Sequence, residues 1–136
     1  MILLDTSGLL AAIDGSQHQH AEAAAALRQA SAPLLLSPFV LAELDYLLAT
    51  RVGVRAQRVM LEEVARGAYR LETFTGADAG LAAAILTRFP NLEIGLVDAS
   101  TVVLAERYAV WDVLTMDHSH FHALRGSGRR RFRLLP

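Results

Sequence analysis

Met1-Ile2-Leu3-Leu4-Asp5-Thr6-Ser7-Gly8 constrains the fold more than any other stretch of the chain. An unbroken apolar run of this length suits a strand buried on both faces, as in the middle of a parallel sheet. An acid and two hydroxyls then collect where the strand ends, and in open α/β sheets that edge is where ligands bind. Asp5 therefore stands at the rim of a central strand, although Asp5, Thr6 or Ser7 would serve equally well as a cap for the helix that follows.

The rest of the chain repeats the alternation. Leu9, Leu10 and Ile13 continue as a short helix ending at Asp14-Gly15, and Gln17 to about Ala30 forms an Ala-rich second helix with solvated His18 and His20. Pro33-Leu34-Leu35-Leu36-Ser37 reads as a second buried strand, and Pro38 suits the first turn of a helix running to about Arg51. That helix carries Val40, Leu41, Leu44, Leu47 and Leu48 on one stripe, with Glu43 and Asp45 on opposite flanks. Only one of the two acids can face the sheet edge, and helix geometry alone does not choose. A fourth helix spans about Arg55 to Arg66, and Ala68 to Phe74 alternates as an edge strand. Ala77 to Phe89 is helical, Pro90 to Gly95 a loop, and Leu96-Val97-Asp98-Ala99-Ser100 leads into another helix with Asp98 at its start. Trp111 to Thr115 reads as a strand with Met116-Asp117 at its end. Arg129 to Leu135 is a last, edge-like strand with a basic face.

Strands alternating with helices indicate an α/β layer fold with a mainly parallel sheet, and the 136 residues make one domain, 1–136. The hydrophobic content of 53% is spread among charges and includes no stretch long enough to span a membrane. No signal peptide is recognisable and there is no cysteine, which fits a reducing, cytoplasmic setting. All 13 basic residues are Arg. Without Lys there is no P-loop lysine, no Schiff base, and no lysine of the kind that aspartate-dependent phosphatases require. A net charge of −1 argues against a protein that binds nucleic acid by bulk charge alone.

In such a sheet Asp5 and Asp117 share one edge, Asp98 heads a helix, and Glu43 flanks a helix whose preceding strand ends on that edge. Carboxylates a few ångströms apart repel by about 4 kcal/mol at an effective dielectric near 20. A cluster of them is tolerated by holding protons or divalent cations, and oxygen ligands alone favour Mg²⁺ or Mn²⁺ over zinc.

The opening hydrophobic-Asp-Thr-Ser, the mid-chain Val40-Leu41-Ala42-Glu43, Gly95-Leu96-Val97-Asp98-Ala99 and Leu114-Thr115-Met116-Asp117-His118-Ser119-His120-Phe121 resemble a PIN domain. In particular they resemble the bacterial VapC ribonuclease toxins, in order and over essentially the whole chain. The resemblance implies a three-layer α/β/α sandwich with about five parallel strands, and a Mg²⁺- or Mn²⁺-dependent endoribonuclease. It implies a catalytic set of Asp5, Glu43, Asp98 and Asp117, with Asp5, Asp98 and Asp117 as metal ligands. Thr6, Ser7 and Thr115 would support them, Thr115 aligning with a hydroxyl the family often places beside the last acid. It also implies a homodimer, a small VapB-like antitoxin, and a structured RNA substrate such as tRNA or rRNA.

A metal-activated water would leave a 5′-phosphate and a 3′-hydroxyl. A histidine-driven route through the 2′-hydroxyl competes with it, and His118, His120 and His122 invite it, His118 first because it adjoins Asp117; His118 is also a candidate RNA contact. RNA would be held by local basic patches, of which Arg129, Arg130, Arg131 and Arg133 form the densest; a charged edge strand that resists aggregation is the other reading. Two alternatives to the nuclease remain at this level: a catalytically silent binding module and, with Ser7 in place of a second Asp and no Lys, an aspartate-dependent phosphatase.

Overall fold

A computed structural model describes all residues, Met1–Pro136. One five-stranded, all-parallel sheet has the order β3-β2-β1-β4-β5, built from β1 (Ile2–Leu4), β2 (Leu34–Leu36), β3 (Arg70–Leu71), β4 (Asp112–Leu114) and β5 (Arg133–Leu135). The opening apolar run is central because it is flanked on both sides: Leu3 stands opposite Leu35 on one side and Val113 on the other. Its alternate residues feed two separate cores. Leu3, Leu35 and Val113 pack with α5 (Gly76–Arg88), α6 (Leu96–Tyr108) and α7 (His118–Ala123). Ile2, Leu4, Leu36 and Leu114 pack with α1 (Thr6–Ile13), α3 (Pro38–Leu47) and α4 (Val54–Ala65), and α2 (His20–Gln29) lies against the same side. Three layers result, as the alternating pattern anticipates.

The chain first builds β1, β2 and β3 outward in one direction, then returns to place β4 and β5 on the other side of β1. The order therefore reverses beside β1, and the crevice at the strands' C-terminal ends opens there. Two contacts set its walls. Gly8 lets α1 approach β4, since a Cβ there would overlap the Leu114 carbonyl. Ser37, the N-cap of α3, accepts from the Phe39 N–H at 3.1 Å and lies 2.7 Å from Ser100 Oγ of α6. Ser100 already donates to the Val97 carbonyl, so Ser37 donates to Ser100, and the two helices that frame the crevice are tied together.

Several sequence-level boundaries shift. The edge strand expected over Ala68–Phe74 shortens to Arg70–Leu71, because Glu72 turns inward and is buried. Arg70 Nε meets Glu72 Oε2 at 2.8 Å, Arg107 lies 3.6 Å from Oε1, and the Tyr108 hydroxyl donates to Oε1. His20 is half-buried rather than solvated, its Nδ1 2.8 Å from the Ala11 carbonyl. The final strand begins at Arg133, not Arg129. Residues 127–129 form a 3₁₀ turn, and Arg125 and Arg131 pair as an isolated antiparallel bridge. The third helix continues through a π-helical turn, Leu48–Val52, before Gly53 ends it at a φ of 148°, a value few other residues adopt.

Candidate active site

Asp5 leaves the end of β1 with its backbone N–H on the Leu114 carbonyl of β4 at 3.0 Å, so the switch point is stitched together at this residue. The residue is only 5% exposed. Ser7 Oγ and Thr115 Oγ1 both donate to the same oxygen, Oδ2, each at 2.8 Å. The other oxygen, Oδ1, receives neither hydroxyl. Burial pushes the carboxyl up from its ordinary value, the two hydroxyls oppose that, and the charge of Asp117 adds to it.

Thr115 is fully buried and joins two acids. Its Oγ1 donates to Asp5 and accepts the Asp117 N–H at 2.9 Å, while the Met116 N–H donates to Ser7 Oγ at 2.9 Å. The turn after β4 is thereby folded back onto the turn after β1. Asp117 then caps α7, accepting from the His120 N–H at 3.3 Å and from Ser119 Oγ at 3.2 Å. Asp98 occupies the first turn of α6 rather than its cap, which is Gly95. It is pushed up to about 6 by burial first, then by the charges of Asp5, Asp117 and Glu43, with His120 acting the other way.

These acids line one cleft of about 290 Å³, together with Thr6, Ser7, Glu43 and His120. The two-residue separation of Glu43 and Asp45 settles their facing: Glu43 lies at the cleft, and Asp45 does not line it. Asp45 is half-buried, with an Oδ1 that has no hydrogen-bond partner, and it forms no ion pair with Arg51 or Arg55. Glu72 also follows a strand onto this edge, but its arginine and tyrosine partners neutralise it, so it adds no charge to the cleft.

The histidines are reassigned by the geometry. The segment after Asp117 is helical, so His118 and His122 fall one turn apart on an exposed face, their rings 6.2 Å from each other. His120 points the other way: its Nδ1 is 2.9 Å from Asp117 Oδ2 and 3.5 Å from Asp98 Oδ2. The approach to Asp117 is close without hydrogen-bonding alignment, leaving Nδ1 a buried atom without a partner. Residue order alone favours His118 because it is adjacent to Asp117; the spacing Asp117-x-x-His120, read as the first turn of a capped helix, is the signal that identifies His120. Arg129, Arg130 and Arg131 lie outside this cleft, in the turn before β5.

The donor set fits a hard divalent cation. Carboxylate oxygens dominate, Asp5 keeps one oxygen clear of its two hydroxyl donors, and the mutual repulsion felt at Asp98 is the kind a cation relieves. No three acids or histidines are drawn close enough to cage an ion by themselves. Mg²⁺ does not need such a cage, since it retains waters and is held by one or two carboxylates plus substrate phosphates.

The PIN domain family model matches residues 2–126. The chain is 44% identical over 135 residues to Ribonuclease VapC26 of Mycobacterium tuberculosis, covering 99% of this chain and 100% of that one. Two solved structures share the fold. VapC20 of M. tuberculosis, a sarcin–ricin-loop-cleaving toxin, superposes with a TM-score of 0.78 at 24% identity, over 86% of this chain and 90% of that one. VapBC2 from Rickettsia felis, bound to a promoter DNA fragment, superposes with a TM-score of 0.70 at 17% identity, over 100% of both.

Proposed function

The chain belongs to the PIN-domain family, and from that premise we propose that it is a Mg²⁺- or Mn²⁺-dependent endoribonuclease, the toxin of a toxin–antitoxin pair acting on structured RNA in the cytoplasm. The observation that carries this reading is the convergence of Asp5, Glu43, Asp98 and Asp117 on one cleft at the sheet's switch point, where burial and the other three carboxylates push Asp98 up to about 6. A binding module whose acids served as caps and salt bridges would pair those charges, as the fold does with Glu72. Here the half-buried His120 is the one basic side chain lining the cleft.

Asp5, Asp98 and Asp117 are the residues that would hold the cation. When bound, it supplies charge relief at the phosphoryl oxygens and a more acidic water. Thr115 and Ser7 fix the rotamer of Asp5 through Oδ2, and the α7 cap fixes Asp117, so the ligands stay oriented without substrate. Glu43, exposed at the cleft, accepts on its carboxylate the proton of the attacking water. The new P–O bond forms as the bond to the 3′ oxygen breaks. The 3′ oxygen takes a proton from solvent, leaving a 3′-hydroxyl and a 5′-phosphate. His120 lies between Asp117 and Asp98, its Nδ1 2.9 Å from the first and 3.5 Å from the second. His118 and His122 are directed away from the acids, which leaves His120 as the one histidine placed for a route through the 2′-hydroxyl.

The VapBC2 neighbour supports a VapB-like partner for this chain as well, and a homodimeric toxin is what the family resemblance implies. Sequencing RNA 5′ ends after induced expression tests the reading directly: wild type should create discrete new 5′-phosphate ends, and Asp98→Asn should create none. Equal cleavage by the two proteins would overturn it.

A further inference from the structure

A second cleft lies outside the acidic one, walled by Arg88, Phe89, Arg125, Gly126, Gly128 and Arg129, with a volume of about 340 Å³. Three of the chain's 13 arginines meet here. The turn that carries two of them is closely built. Gly126 packs so tightly against Trp111 that a Cβ would overlap the indole, its N–H donates to the Arg130 carbonyl at 3.0 Å, and Arg125 pairs with Arg131 across the turn. Gly128 and Arg129 both adopt left-handed backbone, with φ of 66° and 61°. Left-handed backbone disfavours a residue with a Cβ, so Arg129 is held where the turn needs it.

The charges are only partly compensated. Arg125 is half-buried and donates NH1 to the Leu124 carbonyl at 2.9 Å and to the His122 carbonyl, so its guanidinium closes the end of α7 and keeps further N–H donors free. Glu106 is the acid in contact with the cleft residues. It accepts from the Ser127 N–H at 2.8 Å and the Ser127 hydroxyl at 3.0 Å, and lies 3.6 Å from Arg88. Arg129 has no acidic partner. Arg130, by contrast, lies 5.8 Å from the Trp111 ring and does not line the cleft. The cleft therefore presents about two uncompensated positive charges on a fixed backbone, which suits an anion with several oxygens.

Its position specifies which anion. Glu106 is eight residues after Asp98 on α6, about 12 Å along the axis and on the same stripe of the helix. α7 links the two clefts by a second path, with Asp117 capping its start and Arg125 just past its end. Neighbouring phosphates of a strand lie about twice their axial rise of about 3.4 Å apart, so 12 Å corresponds to about two nucleotides.

Given the ribonuclease reading, on which this rests, we propose that the Arg88–Arg125–Arg129 cleft holds a backbone phosphate of the RNA substrate about two nucleotides from the bond that is cut. The chain is otherwise near neutral and its catalytic cleft is acidic. This contact supplies attraction for a polyanion that the acidic cleft repels, and it favours RNA long enough to reach both clefts. Base identity is not read here, since guanidinium–phosphate contacts position the strand and carry no sequence information.

The test uses the double variant Arg88→Gln/Arg129→Asn, in which Asn suits left-handed backbone and Arg125 is left to close α7. Arg28→Gln/Arg58→Gln, at exposed positions on α2 and α4, is the charge-matched control. Binding of a labelled RNA hairpin is followed by anisotropy in chelator, so that no cleavage intervenes, over a range of salt. The double variant should bind about tenfold more weakly at low salt. The slope of log K against log salt should flatten by about 0.9 for each duplex phosphate no longer neutralised, or about 0.7 on single strands. With Mg²⁺, KM for the hairpin should rise while kcat holds, and cleavage of a trinucleotide too short to reach the cleft should match wild type. An unchanged salt slope overturns the proposal, as does an equal loss with Arg28→Gln/Arg58→Gln or a loss on the trinucleotide matching that on the hairpin. A double variant that binds RNA normally but loses affinity for an acidic protein partner also overturns it, because the cleft would then serve that partner. If wild type binds RNA with the expected slope yet cuts neither substrate, the catalytic reading fails and the phosphate cleft stands.

Discussion

Replacing Asp98 by Asn removes the carboxylate whose ionisation the cleft opposes. The group is raised from the ordinary 3.8 to about 6 by burial first, then by Asp5, Asp117 and Glu43, against the pull of His120. Between those two values the folded protein holds a proton that the unfolded chain has released. Stability therefore falls as pH rises from about 4 to about 6, and the full penalty is present above 6. A shift of this size corresponds to roughly 3 kcal/mol at most, and solvent screening of a partly exposed group brings that to about 1–2 kcal/mol. In a chain of this length the change is about 3–8 °C in Tm. Metal-free Asp98→Asn should therefore melt about 3–8 °C above wild type near neutral pH, with the difference closing as pH approaches the unfolded value of 3.8. Wild type should gain stability on adding Mn²⁺ and the variant should gain little, since a cation that binds only the native state stabilises it. Calorimetry across pH, with chelator and then with Mn²⁺, reads both effects. A variant that melts below wild type near neutral pH, or by a margin independent of pH, would refute the idea that the cleft is a site of unrelieved charge.

The facing of α3 predicts that Glu43→Gln lowers Mn²⁺ affinity and cleavage by at least tenfold, about 1.4 kcal/mol, whereas Asp45→Asn changes either by less than about threefold. Titrating both with Mn²⁺ side by side checks this, and the reverse order would mean the helix is turned. Thr115→Val keeps the shape of a fully buried side chain but removes the donor to Asp5 and the acceptor for the Asp117 N–H. Metal affinity should fall about 10- to 100-fold, as for other partners that orient ligands, with a smaller change in Tm; calorimetric titration measures it. Gly8→Ala drives a methyl into the Leu114 carbonyl where α1 crosses β4. It should destabilise by about 3 kcal/mol or more, since backbone at the centre of the sheet has to move, and a denaturation midpoint near that of wild type would show that the crossing has room to spare.

The strands and their edge were legible in the residues because both depend on short-range pattern. Ile2-Leu3-Leu4 and Val113-Leu114 are too apolar to face water on either side, and the polar residues directly after them must fall at the strand ends, which places Asp5 and Asp117 together before any contact is known. The four acidic motifs, in order along the chain, similarly marked the family. What remained open depended on rotation and on long-range partners. Periodicity puts Glu43 and Asp45 on opposite flanks of α3, but the packing of Val40 and Leu44 against the β1–β2 side, with the Ser37–Ser100 bond, decides which flank meets the cleft. His118 and His120 exchanged importance because the segment after Asp117 closes into a helix capped by Asp117 itself, so that the third residue on, not the next, faces the acids. The arginines from position 129 onward read as one basic strand. Contact with Trp111 and the Arg125–Arg131 bridge fold them into a turn that leaves Arg125 and Arg129 beside Arg88, at the far end of α5 and well before them in the chain. Residue order sets what each segment can become, but only the tertiary contacts determine which side chains converge, because they join residues too far apart in sequence for any local period to relate.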